Sequence, residues 1–261
     1  MKFGVCRGLD DFDGMKAASE AGVDYWECGF GQLVNWSDEQ ISDSVSALND
    51  NNLKLLACNG FIPGDLKVAG DNIDYGKLCE YLDKGFERVK KLGVKKIVFG
   101  SGRSRTPDND TYTKEKAMEQ VAYFLSEYVS PRAKSADCII VMEPLRYNES
   151  GIIHTVADGV KVAEMSEADN VFGLADLYHV YGNNDDIKGF NSFNGKIKHA
   201  HIAEPVNRKY PGCFDDENTA TLYKEFIDTL SLIGCDTCSV EAGTDNFSED
   251  IKKAINLLKS L

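Results

Sequence analysis

The chain has 261 residues, close to the ~250 that one closed α/β barrel needs, and its 43% hydrophobic and 27% charged residues exclude a disordered chain. A net charge of −13 excludes a sequence-independent grip on polyphosphate, so nucleic acid is not an expected partner. No apolar run approaches the ~18 residues of a bilayer span. Met1-Lys2-Phe3-Gly4-Val5-Cys6 begins directly as a strand, without a secretory signal, and a cytoplasmic protein with no membrane partner is expected. Eight cysteines are too dilute for a disulfide scaffold, and Cys6, Cys58 and Cys138 lie in apolar strand-like runs, as buried thiols in a reducing compartment do. Cys235-Asp236-Thr237-Cys238 is a lone CxxC without a second pair or a nearby histidine, which is a weak zinc or redox signal.

In chain order, strand and helix patterns alternate eight times. The first strand is 3–6; its helix carries Met15, Ala18 and Ala21 and stops at Gly22, a favourable residue just past a helix end. The second strand is 25–28, and the next helix starts at Ser37 with Gln40 three residues on, a capping box. Strand three, 54–58, leads to a helix over 75–92 with Leu78, Leu82, Phe86 and Val89 on one stripe, ending at Gly93. Strand four is 96–99, followed by a long helix with Ala117, Val121, Phe124, Leu125 and Tyr128 on its apolar face. Strand five is 139–142, a helix runs over 155–165, and strand six is 171–175. The polar stretch 183–194 holds only a weak sixth helix. Strand seven is 197–201, a helix carries Leu222, Phe226, Ile227 and Leu230, strand eight is 238–240, and 251–258 forms the last helix. With no linker or break in composition, this predicts a single (β/α)₈ barrel over residues 1–261. An open doubly wound sheet is the alternative, but Cys6-Arg7-Gly8-Leu9 is no dinucleotide fingerprint.

Such barrels carry their chemistry where strands end. Strand five ends in Met142-Glu143-Pro144, strand six in Ala175-Asp176, strand seven in His199-Ala200-His201, and strand eight in Val240-Glu241. Period-two alternation puts Val141 and Ile139 beneath Glu143, and Leu174 and Phe172 beneath Asp176, giving apolar layers under a polar rim. His199 and His201 share a face, and Glu241 sits above Ser239. Three converging acids would repel one another without a cation. With one imidazole they make a hard, mixed O/N set for Mn²⁺, Mg²⁺, Co²⁺ or Zn²⁺, so one divalent ion is the expected cofactor.

At these residues the chain resembles the xylose isomerase-like barrel superfamily, and within it the sugar phosphate isomerase/epimerase group that includes ketose 3-epimerases and hydroxypyruvate isomerases. The resemblance spans the whole chain. It is carried by Glu143-Pro144-Leu145 with Glu149, Asp176-x-x-His179, His199-x-His201-x-x-Glu204, Asn207-Arg208-x-x-Pro211-Gly212 and Glu241. It implies a xylose isomerase-like barrel in which Glu143, Asp176, His201 and Glu241 hold one metal ion. It also implies that Glu143 and Glu241 face each other across a sugar or sugar-derivative substrate and move protons, while His179, Glu149 and Arg208 contact substrate oxygens. Isomerisation or epimerisation would then proceed by proton transfer at carbon beside a carbonyl, through an enediolate. Members of the group are often homodimers or homotetramers. Two departures bear on the substrate: Leu145-Arg146-Tyr147-Asn148 replaces the group's Asn-Arg, and the loop from His201 to Arg208 is one residue longer.

The loop Gly100-Ser101-Gly102-Arg103-Ser104-Arg105-Thr106-Pro107 reads equally as a binder of a substrate phosphate or carboxylate through Arg103 and as a solvated loop. Glu27, at the end of strand two, reads as a rim ligand or as a salt-bridge anchor, and the reading taken is that it touches substrate or supports a ligand. Trp26, alternating with Glu27, belongs to the outer core; Phe30, Trp36 and Phe61 are read first as packing. Three other functions compete. An inosose dehydratase-like lyase shares the first proton abstraction. An apurinic endonuclease-like hydrolase would need more histidines than His154, His179, His199 and His201. A non-catalytic sugar-binding barrel would keep the pocket without the acid pair.

Overall fold

The computed structural model describes residues 1–109, 111–214 and 216–261. Eight parallel strands close into a barrel in sequence order: β1 (Lys2–Cys6), β2 (Tyr25–Gly29), β3 (Leu55–Asn59), β4 (Lys96–Phe99), β5 (Ile139–Met142), β6 (Val171–Asp176), β7 (Ile197–Ile202) and β8 (Thr237–Val240), with β8 pairing back onto β1. This is a (β/α)₈ TIM barrel, with helices packed between and outside the strands.

The helix signals in the sequence act as expected. Ser37 and Gln40 form a reciprocal capping box ahead of the helix Asp38–Asp50. Gly22 and Gly93 end their helices at φ +80° and +71°, a left-handed backbone that costs a side-chain-bearing residue energy. The long helix after β4 is broken in character: Lys114–Phe124 is α-helical, Leu125–Val129 is a π turn, and Ser130–Ser135 is α-helical again. Pro131 has no N–H to give to the preceding turn, and the helix widens immediately before it. The weak sixth helix over 183–194 is corrected. The chain turns helical at once after β6, as Leu177–Gly182, and 187–193 forms only 3₁₀ turns.

Alternation along the strands divides the protein into two apolar regions. Phe3, Val5, Trp26, Ile97, Phe99, Met142 and Ala200 point outward into the strand–helix core, where Phe30 and Phe61 meet edge to face at 4.9 Å. Val98, Val141 and Leu174, with Ile139 and Phe172 against them, form a separate cluster inside the barrel on the β4–β6 side. These are the apolar layers expected beneath Glu143 and Asp176. The opposite side of the interior is polar, lined by Tyr25, Glu27, His199, His201, Thr237 and Ser239, all buried. Gly4 of β1 makes room for the Tyr25 ring, since a β-carbon there would stand 2.1 Å from it.

Candidate metal centre

Glu143 and Glu241 each lie one residue past a strand and still continue its ladder, the amide of Glu143 donating to Phe99 O (3.2 Å) and that of Glu241 to Ile202 O (3.1 Å). Their side chains therefore leave the rim on the inward parity. Asp176 caps the following helix, with Oδ1 accepting from the Tyr178 amide (2.9 Å), which leaves Oδ2 for the mouth. His201, inside β7, turns Nδ1 to the same place, 3.3 Å from both Glu143 Oε1 and Glu241 Oε2. One donor atom from each of Glu143, Asp176, His201 and Glu241 lies within 4.8 Å of the others. The four residues singled out at consecutive strand ends are thus brought together at one end of the barrel.

The electrostatics of the cluster fit a cation. Burial and the neighbouring Glu241 charge push the Asp176 carboxyl up to about 6, and burial likewise raises Glu143. Burial also opposes ionisation of Glu241, but His201 and Arg208 outweigh it and hold that carboxyl at about 2. Burial alone would lower the His201 imidazole, yet Glu27 and Glu241 raise it well above the usual histidine range. Two acids held above their ordinary range mark a place where positive charge is wanted. The donors are three carboxylates and one imidazole, and His201 keeps Nδ1 for the cluster because Nε2 is engaged by Glu27 Oε1 (3.0 Å). The residues fit a divalent ion.

Several side chains surround these four. Arg208 Nη2 donates to Glu241 Oε2 (2.6 Å) and stands 3.5 Å from Asp176 Oδ2. Its backbone is left-handed (φ +52°) in a loop shaped by the buried Glu204, whose carboxylate accepts from the amides of Val206 (3.0 Å) and Asn207 (2.5 Å). Arg208 and Arg146 lie on the Tyr178 ring at 4.6 and 3.4 Å, and Arg146 also donates to Tyr178 O and Pro205 O. His179 Nδ1 accepts from the Arg146 amide (3.2 Å), so Nε2 carries the proton. Among the described residues that nitrogen has no hydrogen-bond partner, and it lies 3.5 Å from Asp176 Oδ2. Burial lowers this imidazole, leaving it a neutral donor aimed at the cluster. Glu149 is half-buried and near enough for its charge to act on both His179 and Arg208.

Two of the residues read from the sequence lie outside the four-residue cluster. Glu27 is fully buried below His201 and accepts from Ser239 Oγ (2.6 Å), His199 Nε2 and His201 Nε2 (3.0 Å each), a placement that supports the His201 ring. Arg103 is exposed and lies outside the four-residue cluster, lining a groove of about 490 Å³ with Lys67, Thr106 and Glu149. The other arginine of that loop, Arg105, is fully buried and donates to Phe99 O (3.0 Å). The CxxC thiols are both buried and free, with Cys235 Sγ turned to Thr237 O. Asn59, ending β3, donates to Glu241 Oε1 (2.9 Å) and was not picked out as a functional residue. Its signal was the same inward strand-end position that marked the acids.

The profile of the xylose isomerase-like TIM barrel family matches residues 15–261. No curated protein sequence matches the chain. Among solved structures it is similar to D-psicose 3-epimerase from Clostridium cellulolyticum H10, crystallised with D-tagatose, with TM-score 0.79, 21% identity and coverage of 98% of this chain and 91% of that one. It is similar to 3-keto-D-glucoside 4-epimerase from E. coli in its apo form, with TM-score 0.77, 19% identity and full coverage of both chains. It is also similar to the IolI protein with a binding zinc atom, with TM-score 0.72, 18% identity and coverage of 100% and 96%. With the family profile matching nearly the whole chain and the eight-stranded barrel closing as that profile requires, the chain belongs to the xylose isomerase-like TIM barrel family.

Proposed function

We propose that the protein is a divalent-metal-dependent sugar isomerase or epimerase that moves a proton at a carbon next to a carbonyl. The observation that carries this reading is the gathering of Glu143, Asp176, His201 and Glu241 at the mouth, with two glutamates available for proton transfer. Glu143, Asp176, His201 and Glu241 would hold the ion, which when bound supplies Lewis-acid polarisation of the substrate carbonyl. The zinc of IolI and the sugars handled by the two epimerases support the same reading.

The chain's own residues divide the remaining work. Glu143 and Glu241 come from β5 and β8, which are not neighbours in the barrel, and would take and return the proton on two sides of a substrate. Their environments push them in opposite directions, Glu143 up through burial and Glu241 down through His201 and Arg208, the separation expected of an acid and a base. His179 Nε2 and the Arg208 guanidinium would orient substrate oxygens. Tyr178 and Arg146 would hold Arg208 in place.

The test is metal analysis of the purified protein followed by solvent-deuterium incorporation into a panel of ketoses. Carbon-bound deuterium is expected with the wild-type protein. Glu143→Gln and Glu241→Gln should keep the metal and lose roughly 10²–10⁴-fold in exchange rate. Full exchange in both variants would rule the proton-transfer pair out. A product lighter by one water would replace isomerisation with dehydration.

A further inference from the structure

The polar half of the barrel interior is a single file of hydrogen bonds that starts at the opposite end of the barrel from the mouth. Lys96 opens β4, and its buried ammonium donates to Lys198 O (2.6 Å), Asp236 Oδ1 (2.7 Å) and Thr237 Oγ1 (2.6 Å). Thr237 Oγ1 lies 2.8 Å from His199 Nδ1, and His199 Nε2 lies 3.0 Å from Glu27 Oε2. The other Glu27 oxygen meets His201 Nε2 at 3.0 Å, and His201 Nδ1 looks into the four-residue cluster. Ser239, itself 2.9 Å from Tyr25 OH, adds a further donor to Glu27.

The file has a direction. An ammonium only donates, so Thr237 Oγ1 accepts a hydrogen bond from Lys96 and has its own hydroxyl hydrogen to give. A carboxylate only accepts, so Glu27 requires N–H at the Nε2 of both histidines. For a neutral His199, one tautomer alone satisfies both ends: Nε2–H toward Glu27, with Nδ1 accepting from Thr237. The other would press a nitrogen lone pair against the Glu27 carboxylate inside a buried site. With Glu27 held this way, His201 is anchored through Nε2 and offers Nδ1 to the cluster.

We infer that Lys96 and Thr237 are positioning residues for the candidate cation site, fixing through His199 and Glu27 which nitrogen of His201 faces the ion and how the ring is turned. This rests on reading the four-residue cluster as a cation site. A purely structural filling of the interior would not need these groups, since Val98, Val141 and Leu174 fill the other half with carbon alone. A buried polar file costs desolvation at every member unless each is satisfied, and here each link has its partner.

Two measurements test the inference. In the metal-free protein, ¹⁵N NMR of labelled histidine should show the His199 ring protonated at Nε2 and bare at Nδ1; the reverse tautomer or a doubly protonated ring overturns the direction of the file. In Mn²⁺ titrations followed by electron paramagnetic resonance, Thr237→Val should bind Mn²⁺ about 10-fold or more weakly, in the range seen when a ligand's supporting partner is removed. Thr237→Ser, which restores the hydroxyl, should recover the affinity, and Lys96→Met should weaken it with unchanged circular dichroism. Equal Mn²⁺ affinity in wild type, Thr237→Val and Thr237→Ser overturns the positioning role. A wild-type protein that takes no Mn²⁺, Mg²⁺, Co²⁺ or Zn²⁺ defeats the cation-site reading and the positioning role with it, while the His199 tautomer still decides the direction of the file.

Discussion

At Gly100 the missing side chain sets where the Glu143 carboxylate can lie: a β-carbon there would stand 2.1 Å from Oε2. Gly100→Ala should therefore turn that carboxylate away from the other three ligands. The expected result is Mn²⁺ affinity reduced at least 10-fold with the fold intact, read by the same titration and by circular dichroism; undiminished affinity would show that Glu143 has another route into the cluster. Residues of this kind were unevenly legible in the sequence. Glu143, Asp176, His201 and Glu241 stood out because each ends a strand on the inward parity. Asn59 obeys the same rule but is a common loop residue and drew no attention. Lys96 and Thr237 begin strands, and a lysine at a strand entrance reads as solvent-facing until the barrel closes and buries it.

Loops and helices show why spacing alone falls short. The loop from His201 to Arg208 reads as a longer version of the group's loop, yet its shape comes from one side chain, Glu204, bonding the amides two and three residues ahead. Glu204→Ala should free those amides, so that Val206 and Asn207 exchange hydrogen faster while β6, β7 and β8 keep their protection. Unchanged exchange at both amides would mean the backbone bonds Arg208 N to Glu204 O (3.0 Å) and Gly243 N to Arg208 O (2.8 Å) suffice. The sixth helix was misplaced for a related reason. Its start signal is Asp176, whose carboxylate caps Tyr178 N while also facing the cluster, so one residue serves as strand end, cap and candidate ligand.

For the whole molecule, the barrel and its eight units were readable from the alternation of strand and helix patterns, because each unit is local. The polar half of the interior was not, since it depends on which strands become neighbours across the closed ring. A site in which two of the three acids are held above their ordinary range should stabilise the fold when filled. At a hundredfold excess over Kd, Mn²⁺ should add about 2.7 kcal/mol, a rise in melting temperature on the order of 5–10 °C for a chain of this size. Asp176→Ala, which removes the donor oxygen, should lose most of that rise. No shift in the wild-type protein would argue that the cluster, with Arg208 among its carboxylates, does not take an ion.

The stack of Arg146, Tyr178 and Arg208 links the segments that follow β5, β6 and β7. Arg146 adds three hydrogen bonds to backbone oxygens of Tyr178 and Pro205. No one of these segments can swing aside alone without breaking the sandwich or those bonds. The lip of the barrel on that side is cross-braced through three loops, so displacing any one of them costs contacts with the other two.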